Sequence, residues 1–118
     1  MKTLVHIHSG PEQPDKITLG ALIAAVSAER GDEVTLFFAS NAVHALASGT
    51  RETLEGVGFG ALSDSLARFR AAGGRLVVSR LSSESRGYDD GFLPETAAWG
   101  TPEMLLDIAG AADATLCY

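Results

Sequence analysis

Strand-like and helix-like stretches alternate along the whole sequence, and that alternation predicts an α/β fold with three layers, helices covering both faces of a parallel sheet. Two further observations support this class. The stretch Glu33–Ala39 is a near-continuous apolar run, the pattern of a strand covered on both faces. The segments between strand candidates are long enough to cross over and return parallel. Residues 1–118 are expected to form a single domain, large enough to bury a core.

Lys2–His8 is short and β-branched, and reads as the first strand. Ser9–Pro14, with a glycine and two prolines, reads as a turn. A helix is expected from Asp15 to Arg30, with Ile17, Ala21, Ala24 and Ala28 on one face. Leu22, Ile23 and Val26 widen that stripe, and only Thr18 and Ser27 interrupt it. A helix apolar on most faces must be covered on most faces, so it is expected to pack on the sheet and also against another subunit. Glu33–Ala39 is the second strand. Ser40-Asn41 then reads as the cap of a short helix ending near Ala47, and residues 48–60 read as the least structured region.

Leu62, Leu66 and Phe69 mark the inner face of a helix over 61–72, which Gly73-Gly74 ends. Arg75–Ser79 is the third strand, and it empties into a serine-rich turn carrying Arg80, Glu84 and Arg86. Residues 87–94 are turn-rich, and Thr96–Trp99 reads as a short edge strand. Thr101-Pro102 is a helix start, with the cap at Thr101 and proline at the first helical position. Ala114–Tyr118 closes the sheet.

Composition narrows the function. Nine Lys+Arg against 15 Asp+Glu give a net charge of −6, which argues against a nucleic-acid partner, since phosphate binding needs clustered cations. No apolar run approaches the roughly 18 residues that span a bilayer, and no apolar leader opens the chain. With a single cysteine, Cys117, no internal disulfide can form; a soluble, cytoplasmic protein is expected.

The candidate sites are few. Ser9-Gly10 leads from a strand end into a helix N-terminus, where free N–H groups favour an anion; an ordinary turn is the alternative. His6 and His8 share a strand face. Even with His44 they lack the cysteines or spaced carboxylates of a metal site, so no metal is expected. His6 reads as a hydrogen-bonded core residue, and His8, at the strand end, as a pocket residue. Gly56-x-Gly58-x-x-Ala61 matches a dinucleotide fingerprint, but Arg51–Glu55 makes a poor preceding strand, and no cofactor is expected. The serines of 79–85 lack a following histidine to act as base, which argues against a serine nucleophile. Cys117 reads as a small buried side chain, with a reactive thiol near a chain end as the alternative.

The order of these features carries a resemblance: a first strand into Ser-Gly-Pro, an Ala-rich helix ending in Gly-Asp-Glu, VTLFFAS into Asn-Ala-Val, then a third strand into a loop ending Ser-Arg-Gly. Over essentially its whole length the chain resembles the DsrE/DsrF-like family, including its YchN-like and TusD-type sulfur-relay members. That resemblance implies a three-layer α/β/α fold with a five-stranded parallel sheet, assembled into a homotrimer or homohexamer. It also implies a persulfide-forming cysteine in the loop after the third strand, a few residues before Arg-Gly. Arg86-Gly87 match, while Ser79 and Ser82 stand at the cysteine positions. A serine hydroxyl cannot hold a persulfide, because the relay needs a soft thiolate nucleophile.

The expected function is therefore binding of a small anionic ligand at the carboxyl ends of the strands, by His8, Ser9, Gly10, Asn41, Ser79, Ser82 and Arg86, with no catalytic residue among them. The alternative is a sulfur-relay subunit acting through Cys117 or through a cysteine-bearing paralogue.

Overall fold

The computed structural model describes residues 1–118. Its main sheet has five strands: β1 (Lys2–Ile7), β2 (Glu33–Phe38), β5 (Arg75–Ser79), β6 (Ala98–Gly100) and β7 (Ala114–Cys117). They lie in the order β6-β5-β2-β1-β7, and every neighbouring pair is parallel. The chain thus builds outward from β1 to β6, then crosses back to add β7 on the far side of β1. Parallel crossovers are right-handed, so reversing the direction of travel puts the connecting helix on the opposite face. Helices α1 (Pro14–Glu29) and α3 (Leu62–Ala71) cover one face, and α5 (Pro102–Ala111) covers the other.

The two faces are unequal. Val5, Ile7, Leu36, Phe38, Leu76 and Val78 join α1 and α3 in a cluster of 19 buried residues. On the opposite face the buried apolar side chains are only Leu4, Phe37 and Val77, beneath half-buried Met104, Leu105 and Ile108 of α5. The period-2 alternation of each strand sorts these residues onto their faces.

In α1, Thr18 and Ser27 are buried along with their apolar neighbours. Each hydroxyl has a partner: Thr18 donates to the Pro14 carbonyl at 2.8 Å, and Ser27 to Asp32 Oδ2 at 2.7 Å. Most of the wide apolar surface of α1 is taken up by the sheet and by α3, and Arg68 Nη2 ties the two helices by its 2.6 Å ion pair with Glu29. Val26 remains 47% exposed.

Several local expectations are corrected. The serine-rich stretch after β5 is not a turn but a short helix, α4 (Arg80–Ser85). Ser79 caps it by accepting from the Ser82 N–H at 3.0 Å, and Ser83 and Ser85 return their hydroxyls to the Ser79 and Ser82 carbonyls. Serines usually divert a backbone from helix by such local bonds; here the bonds fall within it. Residues 48–60 hold a short helix, α2 (Thr50–Thr53), and part of a hairpin of β3 (Glu55–Gly56) and β4 (Gly60–Ala61). That hairpin, with Gly58 and Gly60 at φ of 81° and 77°, gives order to part of the region expected to be least structured. The segment after β2 is a 3-10 helix (Ser40–Leu46), and Ala39 rather than Ser40-Asn41 occupies its cap, with no side-chain bond.

Candidate functional site at the strand ends

Ser40 follows β2 with φ of 53°, the left-handed region that a serine seldom occupies. Its backbone N–H donates to Ser82 Oγ at 2.8 Å, so the turn after β2 is locked to α4. The strand register explains the meeting. Phe38 pairs with Val78, so both chains leave the sheet side by side.

Arg86, half-buried at the end of α4, binds the two segments together. Its Nε donates to Asn41 Oδ1 at 3.0 Å, and Nη1 to the Ser82 carbonyl at 3.2 Å and Ser85 Oγ at 3.1 Å. Nη2 makes only a 3.4 Å contact with Ser40 Oγ. All four partners are uncharged oxygens. Arg80, the neighbouring arginine of α4, is used differently: it pairs with Glu84 at 2.9 Å and Asp90 at 3.0 Å, and lies 4.7 Å over the Trp99 ring.

Asn41, Ser79, Ser82 and Arg86 therefore meet in one hydrogen-bonded cluster. Gly10 adjoins it, for a Cβ there would lie 2.8 Å from the Asn41 Cβ. The Gly10 N–H is already used by Glu12 Oε1, at 3.2 Å. Ser9 is buried beside Gly10. His8 stands apart, exposed, with its ring 5.4 Å from that of His6. Ser40, expected only as a helix cap, belongs to the cluster as well. Nothing in a Ser-Asn pair announces a left-handed serine.

His6 is not the hydrogen-bonded core residue expected. Its Nε2 is buried without a partner, because its neighbours are the His8 and Phe37 rings, both edge-on. Burial first, and then the His8 charge, hold its pKa below the usual 6.5, so it is neutral at pH 7. Cys117 is not buried but exposed, because β7 is an edge strand. It pairs in register with His6 and shares its sheet face. His44 bonds instead to the Tyr88 hydroxyl at 2.7 Å, and no group of three potential ligands could hold a metal ion.

Cavities lie near this cluster and away from it. One of about 450 Å³ is bordered by Arg80, Tyr88 and Trp99, and another of about 310 Å³ lies under α5 at the amino ends of the strands. The Arg86 cluster lines neither. No helix is long and apolar enough to cross a membrane.

The chain superposes over all of its length on all of the ychN protein from E. coli, with a TM-score of 0.80 and 21% identity. A protein of unknown function from Methanobacterium thermoautotrophicum, MTH1491, matches 99% of this chain with 98% of its own, at a TM-score of 0.68 and 13% identity. At such identities the likeness concerns the fold. No curated protein matches the sequence. The sequence profile of the DsrE/DsrF-like family matches residues 1–118, strand ends and Arg86 cluster included, and the chain belongs to that family.

Proposed function

We propose that the chain binds a small anion at the carboxyl ends of β2 and β5 by hydrogen bonds alone, without persulfide chemistry at this loop. One observation carries the reading: the Arg86 guanidinium is fixed by uncharged oxygens and keeps Nη2 almost unused. A guanidinium held in place presents a planar fork suited to an oxyanion, and loses little further entropy on binding one. Ser40, Asn41, Ser79 and Ser82 supply the frame. Ser79 and Ser82 offer hydroxyls where a sulfur carrier would need thiols, so any sulfur species here is held as a ligand and not on the chain.

The test is a titration of wild type and Arg86→Gln with sulfate, thiosulfate and phosphate, followed by thermal shift. Loss of a charge-assisted bond should weaken at least one anion about tenfold or more. Equal responses of the two proteins to every anion would overturn the reading.

A second reading rests on Cys117. It is exposed on β7, against His6, beside the point where the strand order reverses, the usual ligand position in open parallel sheets. There the Cys117 thiolate would take the terminal sulfur of a donor persulfide, whose own thiolate leaves, and a cysteine-bearing paralogue would be a fitting donor. Mass spectrometry after exposure to a persulfide donor decides it. A gain of one sulfur atom on Cys117 is the expected result, and its absence removes this reading.

A further inference from the structure

The cavity of about 310 Å³ under α5 sits at the end of the sheet opposite the Arg86 cluster. Its existence follows from small side chains. Ala111 and Ala112 at the end of α5 and Thr35 on β2 line it, and none is long enough to close the gap between helix and sheet. Its floor is completed by Met104 and Ile108, half-buried residues of α5.

Charges stand around this apolar floor, and they are unequally satisfied. Lys2 and Glu33 face each other at 4.0 Å. Arg75, at the start of β5, has one side-chain contact, Nη2 to Met104 Sδ at 4.0 Å, and a thioether is a weak acceptor. Asp107 lies one helical turn from Met104 and makes no ion pair or side-chain hydrogen bond. Of the other arginines, Arg30, Arg51, Arg68 and Arg80 each meet a carboxylate, Arg86 meets uncharged oxygens, and Arg70 is unpaired on the outer surface of α3. A free guanidinium and a free carboxylate thus flank one apolar floor without meeting each other.

We propose that this cavity binds a small zwitterion with an apolar body, that is, an α-amino acid with an apolar side chain. Its carboxylate meets Arg75, its ammonium meets Asp107, and its side chain lies on Met104 and Ile108. A simple anion would find Arg75 and Lys2 but also the Asp107 and Glu33 carboxylates. A simple cation meets the converse arrangement. Only a ligand carrying both charges satisfies both free groups. The volume, about 310 Å³, is at the small end of ligand sites, which suits an amino acid.

The experiment is an NMR titration of the isotope-labelled chain with L-leucine and with its two half-ligands, isocaproate, which lacks the ammonium, and isoamylamine, which lacks the carboxylate. L-leucine should move the backbone signals of Thr35, Ile108 and Ala112, and each half-ligand should bind about tenfold more weakly or worse. Arg75→Gln and Asp107→Asn, both at exposed positions, should keep the folded spectrum and each weaken L-leucine about tenfold. The proposal is overturned if L-leucine at millimolar concentration leaves these signals unmoved. It is equally overturned if either variant binds as the wild type does, or if one half-ligand matches the whole.

Discussion

Ser40 spends backbone strain to reach its place. A left-handed non-glycine residue costs on the order of 1 kcal/mol, and such a cost persists only where the surroundings hold it. Here Ser82 Oγ on its N–H and Arg86 beside its Oγ do the holding. Asp32 shows the opposite economy. Its carboxylate accepts from the Ser27 hydroxyl first, then from Arg30 and the N-terminal ammonium, and its pKa falls from 3.8 to about 2. A carboxyl more acidic in the fold than in the unfolded chain favours the fold above its unfolded value. That contribution disappears as pH falls through about 2. Asp32→Asn should therefore melt lower than wild type at neutral pH, with the gap narrowing below about pH 4 and closing near pH 2 in a series of thermal melts. At this scale the sequence could place Asn41, Ser79, Ser82 and Arg86 at the carboxyl ends of strands, because a parallel sheet gathers those ends at one edge, but not the bonds between them. It was not legible for His6 or Cys117, whose surroundings depend on which strands become neighbours.

Among the elements, β6 is the shortest strand of the sheet and the most constrained. Gly100 is buried there, opposite Ser79. A Cβ would lie 2.5 Å from Val77 Cγ1 and 2.8 Å from the Phe37 ring, both in the small core under α5. Gly100→Ala should destabilise the protein by about 1–3 kcal/mol, the usual cost of overpacking, measured by urea denaturation. Apolar runs and glycine-proline punctuation made β1, β2, β5 and the three long helices readable within a few residues. The elements that escaped reading, α2, α4 and the β3–β4 hairpin, are too short to show a period. α4 is also built of serines, which signal a turn unless, as here, a capping hydroxyl and an arginine close the helix at both ends.

For the whole molecule, the unequal faces are the leading fact. A cluster of 19 residues anchors one face and three anchor the other, so α5 is the lightly held layer. Exposed Leu106 on α5, Val26 on α1 and Leu116 on β7 leave apolar surface on both sides of the sheet. The homotrimer or homohexamer proposed from the family resemblance would cover it. Light scattering on the eluting protein should give three or six times the 12.3 kDa chain mass, and a monomer would set that assembly aside. The three layers and the five parallel strands followed from the alternation of elements. The strand order did not, since the sequence does not say on which side of β1 the last strand lands.

That landing place has a mechanical consequence. β1 and β7 are parallel neighbours, with Met1 at the start of one and Tyr118 at the end of the other. Tension between these residues pulls the two strands lengthwise in opposite directions. The bonds joining them, His8 N–H to the Tyr118 carbonyl and Asp113 N–H to the Lys2 carbonyl among them, are then loaded together in shear and cannot open one at a time like a zip.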